Sequence, residues 1–455
     1  MSNGPVHTLA RLACSLAAAR ITSRELVEAC LANITAAPGE GARAFTKVHT
    51  QQALAAADFH DRMRKLGAAP SAFAGIPISV KDLFDLAGDV TLAGSKVLQD
   101  TAPATRDALA VARLKAAGFI VMGRTNMTEF AFSGLGINPH YGTPLNPWDR
   151  GTGRIPGGSS SGAAVSVTDA MAFAGLGTDT GGSCRIPAAM CGIVGFKPTA
   201  SRVPLDGAYP LSATLDSIGP LANSVACCAT LDAVLAAEPV LDPGGAVPAA
   251  ATVEGLRLGV LGGYVLDDMA PEVAASLERA LHKLGKAGAR LRDVGVPELA
   301  ELPQIHRKGG FSAAEAYALH RERAASEASR YDPRVLVRIL RGREQDAADY
   351  IDLYRQRTGF IGRVTPRLEP FDALLMPTIP IIPAALTDLA ANDAYARINS
   401  LALRNPSIVN FLDGCAISIP CHEPGSAPVG LTIFGLSHAD RRVLSIGAAI
   451  ESCLR

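Results

Sequence analysis

The 455-residue chain carries 43 basic and 43 acidic side chains, and 48% of its residues are apolar. That balance leaves no global electrostatic footprint for nucleic acid or an anionic membrane, while the apolar share suffices for a sizeable core. The nine cysteines are odd in number and scattered through apolar or helical sequence, so they read as reduced, mostly buried thiols of a cytoplasmic protein.

At the start, MSNGPVHTLARLACSLAAAR has arginines among its apolar positions and offers neither a signal-peptide core nor a span of about 18 apolar residues. Residues 8–35 have helical spacing, with Thr22 and Ser23 offering an N-cap and a second helix predicted from Glu25 to Ala36. AGIPISV, residues 74–80, alternates like a strand. Asp107 to Ala117 is a helical run feeding the apolar strand FIVMG, and MAFAGLG and RLGVL repeat the strand pattern further on. This alternation predicts an α/β fold, a mixed β-sheet covered on both faces by α-helices. EPVLDPGGAVPAAAT, residues 238–252, is rich in Pro, Gly and Ala and reads as an internal linker or a long surface loop. From about 310 to 370 the chain is polar and helical, with arginines at 321, 323, 330, 334, 338, 341 and 343 that read as a solvated helix face. FDALLMPTIPIIP, AISIPC and GLTIFG then look like strands returning to the sheet.

RIPGGSSSG, residues 154–162, sets three serines among glycines, a costly backbone unless chains must approach closely. A phosphate loop would need a lysine followed by Ser or Thr, and Ser161 leads into GAAV instead. Gly158 to Gly162 also matches G-x-S-x-G, which would make Ser160 a hydrolase nucleophile with His422 or His438 as partner, although the preceding NPWDRGTGRIP is loop and not strand. Further on, a strand runs into Asp179-Thr180-Gly181-Gly182-Ser183 and then a helix. Ser183 there is either an ordinary N-cap or a nucleophile beside amides that can hold an oxyanion. The histidines lack H-E-x-x-H spacing and the cysteines lack C-x-x-C pairs, so no metal site is expected.

GGSSSGAAV and GTDTGGSCRIPAAMCGIVGFKPT, with GIPISVKD upstream and GRTNMTEFAFSG between them, resemble the amidase signature family. The separation of Ser159 from Ser183 is the one that family shows. FDALLMPTIP and PVGLTIFG extend the likeness over nearly the whole chain, strongest from about 74 to 220 and loosest from 240 to 400. The resemblance implies one domain over 1–455, with a catalytic core at about 70–225 and a variable helical substrate-side region at about 300–400.

It also implies a Ser-cisSer-Lys triad with Ser183 as nucleophile, Ser159 as the bridging serine and Lys81 as base. The amides of Thr180, Gly181, Gly182 and Ser183 would form the oxyanion hole, braced by Asp179 and Arg185. Lys81 ends an apolar strand, a setting in which burial can bring a lysine pKa from about 10.4 towards 7.5. Met127 and Ile186 are the expected substrate contacts, with Phe130 a further candidate for the pocket wall. Some family members that take carboxylated acyl groups carry arginine three positions after the nucleophile. Here that position is Ile186, which predicts a neutral carboxamide substrate. No cofactor is implied, the partner is a small-molecule amide, and a homodimer is compatible with the resemblance. A second reading is the glutaminase component of a tRNA-dependent amidation complex.

Overall fold

The computed structural model describes residues 8–239 and 250–455. Positions 240–249 of the expected linker, and residues 1–7, lie outside the described residues. Eleven strands join one sheet: β1 Phe45–Val48, β2 Pro77–Lys81, β3 Ile120–Thr125, β4 Ala174–Thr178, β5 Val194–Lys197, β6 Ile218–Ala222, β7 Arg257–Leu261, β8 Arg290–Val294, β9 Ala373–Pro377, β10 Cys415–Pro420 and β11 Gly430–Gly435. Their spatial order is β1-β3-β2-β4-β6-β5-β10-β11-β9-β7-β8. β2 runs parallel to β3 and β4, and β7 runs parallel to β8 and β9; the remaining pairs are antiparallel. The sheet is therefore mixed. In β2, β3, β4, β5, β6, β9 and β11 every residue is buried, so helices cover both faces.

The leading helices form as their sequences dictate. Ser23–Thr35 starts at a capping box in which Thr22 accepts from the Glu25 amide and Glu25 reaches back to Thr22, an arrangement that stabilises a helix by about 1 kcal/mol. Two apolar clusters flank the sheet: a large one around β2, β3, β4 and β6, and a second built by β9 with helices Ala347–Leu368 and Asn392–Phe411. A third and smaller cluster, including Leu135, Ile186, Met190 and Tyr395, lies between the Ser183 turn and the 379–402 region. Among the described residues no helix is long and apolar enough to cross a membrane, and no group of His, Cys, Asp and Glu could hold a metal ion.

Candidate active site

The site forms where β2 and β4 end side by side, the usual place for ligands in sheets of this type. Lys81 is the last residue of β2 and is wholly buried. Its Nζ lies 2.7 Å from Ser159 Oγ and 2.9 Å from Thr178 Oγ1 at the end of β4. Burial pushes its pKa down to about 8.

Ser159 follows a cis peptide bond after Gly158. Its carbonyl accepts from the Thr128 amide at 3.1 Å, and the Gly158 amide donates to the Gly134 carbonyl at 2.8 Å, so the 126–136 loop wraps this segment. A Cβ on Gly158 would stand 2.5 Å from the Gly136 nitrogen, which explains why glycine precedes the serine. The Ser160 amide donates to the Ser183 carbonyl at 3.3 Å and ties the two serine segments together.

Ser183 lines a cavity of about 560 Å³, whereas Lys81 and Ser159 lie behind it, out of the cavity wall. The turn carrying Ser183 is held by a buried network. The Asp179 carboxylate accepts from the amides of Gly182 (2.8 Å) and Cys184 (3.2 Å) and from both Nε and Nη2 of Arg185 (3.0 and 2.9 Å). Arg185 Nη2 also donates to Asn410 Oδ1 at 2.7 Å, and Asn410 Nδ2 donates back to Asp179. Burial works to raise the Asp179 pKa, but the Arg185 guanidinium beside it holds the carboxyl below the usual carboxylate range. Asn410, from the last turn of helix Asn392–Phe411, is a site residue that the sequence does not suggest.

Several expectations require correction. The Gly182 amide is committed to Asp179 and does not stand free as an oxyanion donor. Met127 is wholly buried in the main core and does not line the cavity. Ile186 is wholly buried behind the turn, its Cδ1 only 2.7 Å from where a Cβ on Gly182 would sit, so it too is absent from the cavity wall. Phe130 packs against Tyr209, His320 and Tyr331 instead. Ser160 Oγ is buried and points to the Thr178 carbonyl at 3.4 Å; His422 stands by Val429, and the His438 amide is bound to Thr199, which leaves Ser160 without a histidine.

The arginine-rich segment is only partly a solvated face. Arg321 and Arg343 are exposed, and Arg330 pairs with Asp100 and Glu327, but Arg338 and Arg341 line the cavity together with Arg307 and Arg404. The premise for a neutral substrate was an Ile186 facing the acyl group, and that premise does not hold. One signal is present in the sequence: Arg334 and Arg338 follow i, i+4 spacing and share a face of helix Pro333–Leu340, about a quarter turn from the face of the buried Val335 and Ile339, and Arg341 follows at the end of the helix.

Residues 25–444 match the Amidase family, so the chain belongs to that family and is an amide-cleaving hydrolase. It is 38% identical over 383 residues to a 2-amino-5-chloromuconic acid deaminase of Comamonas testosteroni, covering 84% of this chain and 82% of that protein. It is 34% identical to the A-type component of the glutamyl-tRNA(Gln) amidotransferase of Chloroflexus aggregans, covering 96% of this chain and 94% of the relative. A crystal structure of an amidase superposes with a TM-score of 0.88 at 30% identity, covering 99% of this chain and 100% of that one.

Proposed function

We propose that the protein hydrolyses a small carboxamide through an acyl-enzyme on Ser183, with Ser159 as proton relay and neutral Lys81 as base. The observation that carries this reading is a wholly buried lysine 2.7 Å from Ser159, directly behind the cavity wall that presents Ser183. As Ser183 Oγ bonds to the amide carbon, its proton passes to Ser159, whose own proton passes to Lys81 Nζ. The resulting oxyanion faces the amides of Thr180, Gly181 and Ser183, fixed donors that need no reorganisation. Collapse breaks the C–N bond while the proton returns through Ser159 to the departing nitrogen. Water then attacks the acyl carbon, its proton passing through Ser159 to Lys81 Nζ and returning to Ser183 Oγ as the bond between that oxygen and the acyl carbon breaks and the acid leaves. All nine cysteines are unpaired thiols, which supports a cytoplasmic setting.

The experiment is hydrolysis of an amide panel scored for released ammonia. Ser183→Ala and Lys81→Ala are expected to lower kcat by about a thousandfold or more with the fold retained, since these groups act as a unit. An acylating fluorophosphonate is expected to label the peptide holding Ser183. Near-normal turnover in folded Ser183→Ala protein would sink the assignment.

Similarity to the tRNA-dependent amidotransferase supports a second reading, with glutamine as substrate. Glutamine carries an α-ammonium group, however, and no aspartate or glutamate among the described residues lines the cavity to receive it. Glutaminase activity that appears only with a copurifying second protein would favour this reading.

A further inference from the structure

The amides of Thr180, Gly181 and Ser183 form no hydrogen bond among the described residues, and all three residues line the cavity. Their directions are fixed unequally. The peptide unit that carries the Thr180 amide is held through the Asp179 carbonyl, which accepts from the Ser217 amide (3.2 Å), Ser217 Oγ (2.8 Å) and Asn410 Nδ2 (3.1 Å). The unit that carries the Ser183 amide is held through the Gly182 carbonyl, which accepts from the Ile186 amide at 2.7 Å. The Thr180–Gly181 unit lacks such a tether: among the described residues neither the Thr180 carbonyl nor the Gly181 amide is bonded. It leads into Gly181 and into Gly182 at φ 124°, a backbone with few steric limits of its own.

What holds this unit is the Thr180 side chain. Thr180 Oγ1 donates to Asp216 Oδ1 at 2.5 Å. Asp216 is buried and is itself fixed, because its Oδ2 accepts from the amides of Leu211 (3.0 Å) and Ser212 (3.1 Å). The same loop is fastened to helix Gly310–Ser326, where Glu315 accepts from Ser212 Oγ at 2.5 Å, from the Thr214 amide at 3.2 Å and from Thr214 Oγ1. Bonds to an ionised acceptor are roughly twice as strong as neutral ones, and pinning the threonine hydroxyl limits rotation of the backbone on either side of its Cα.

We infer that Asp216 is a positioning residue for acyl transfer, which through Thr180 directs the Gly181 amide at the oxyanion formed beside Ser183. The inference rests on Ser183 as the acylated residue. Asp216 does not line the cavity and acts only through a donor that does. The oxyanion exists beyond the ground state, so a misdirected Gly181 amide is felt in kcat and scarcely in KM.

The test uses the fastest amide of the panel at about pH 8.5, where Asp216, pushed up to about 6 by burial, is ionised. Thr180→Val keeps the volume and removes the hydroxyl; kcat is expected to fall at least about tenfold with KM within about threefold of wild type, short of the roughly hundredfold or greater loss when an oxyanion donor is deleted outright. Thr180→Ser keeps the hydroxyl and should recover most of that loss. Asp216→Asn can offer Thr180 an acceptor only by turning its NH2 onto the Leu211 and Ser212 amides, so it should lower kcat to a similar degree. The double variant of Asp216→Asn with Thr180→Val should be no slower than the slower single one, because both changes break one contact. A trifluoromethyl ketone with the same acyl group, whose carbonyl oxygen becomes an oxyanion when Ser183 Oγ adds to its carbon, should lose affinity in proportion to kcat/KM across the series. A role confined to the fold would not produce that parallel. Wild-type kcat in folded Thr180→Val protein, losses that multiply in the double variant, or a loss confined to KM or to the unfolding midpoint would overturn the inference and leave the Ser183 reading intact. Should Asp216→Asn not fold, Thr180→Val and Thr180→Ser decide by their kcat and ketone affinities. Undiminished turnover in Ser183→Ala would overturn both readings.

Discussion

Lys81 has been taken out of water with hydroxyls, and no carboxylate, within hydrogen-bond distance of its Nζ. Burial lowers its pKa to about 8, so at pH 7 roughly one molecule in ten holds the neutral base. For a neutral amide, kcat/KM is expected to climb about tenfold per pH unit from pH 6 and to level off above pH 8. A pH–rate profile checks this, and a flat profile between pH 6 and 9 would assign the base elsewhere. His306, which also lines the cavity, is pushed down to about 4 by burial and titrates well below that window. The residue roles are legible unevenly. Ser159, Ser183 and Lys81 stand in short contiguous motifs, and the likeness of those motifs to the amidase signature family is what implies a role for each. Met127 and Ile186 lie elsewhere than expected because a position near a motif does not fix the direction of a side chain.

At the scale of elements, the turn that carries Ser183 depends on a helix more than two hundred residues away. Asp179, Arg185 and Asn410 form one buried hydrogen-bonded set, with Asp179 and Arg185 fully enclosed. Asp179→Asn keeps the volume but leaves a buried guanidinium without its counter-charge, a loss of about 3–5 kcal/mol in stability. Urea denaturation should show this as a lower midpoint, accompanied by a fall in turnover, because the Asn amide keeps one acceptor oxygen and turns an NH2 donor towards the other of the Gly182 and Cys184 amides. An unchanged midpoint would mean that Asn410 alone can satisfy Arg185. The long buried strands β2, β3, β4, β9, β10 and β11 are readable as apolar runs. β1, β5, β6 and β8 do not stand out in the same way. β1 is only four residues long, and β8, with sequence RLRDV, is a mostly exposed edge strand whose charges hide the strand pattern.

The molecule as a whole should be sensitive to alkali. Burial raises the thiol pKa of Cys30, Cys184, Cys191, Cys227, Cys228, Cys415 and Cys421. Unfolded thiols ionise near pH 8.5 and the folded ones do not, so their contribution is complete below that pH and is lost as pH rises, by up to about 1.4 kcal/mol per thiol per pH unit. Lys81 and Lys197, both lowered by burial to about 8, act in the opposite sense between about pH 8 and 10.4, where the unfolded chain holds more protons. Seven thiols outweigh two lysines, and Tm is expected to fall steeply above pH 9. Thermal unfolding with reductant between pH 7 and 10 checks this; a Tm that held or rose would contradict it.

The sequence by itself determined the alternation of strands and helices, the capped leading helix and the segments that carry Lys81, Ser159 and Ser183. The first two rest on local periodicity and a cap, which act over a few residues, and the third on contiguous motifs that resemble those of a known family. Only the tertiary structure decided what faces Ser183. Arg334 and Arg338 share one helix face, yet Arg334 stacks on Tyr395 and bonds the carbonyls of Leu389 and Ala390, while Arg338 lies over Phe132 in the cavity. Which arginine stays unpaired depends on how helix Pro333–Leu340 packs against a loop some two hundred residues earlier in the chain. Charge complementarity across such a distance is a property of packing, and no local spacing encodes it.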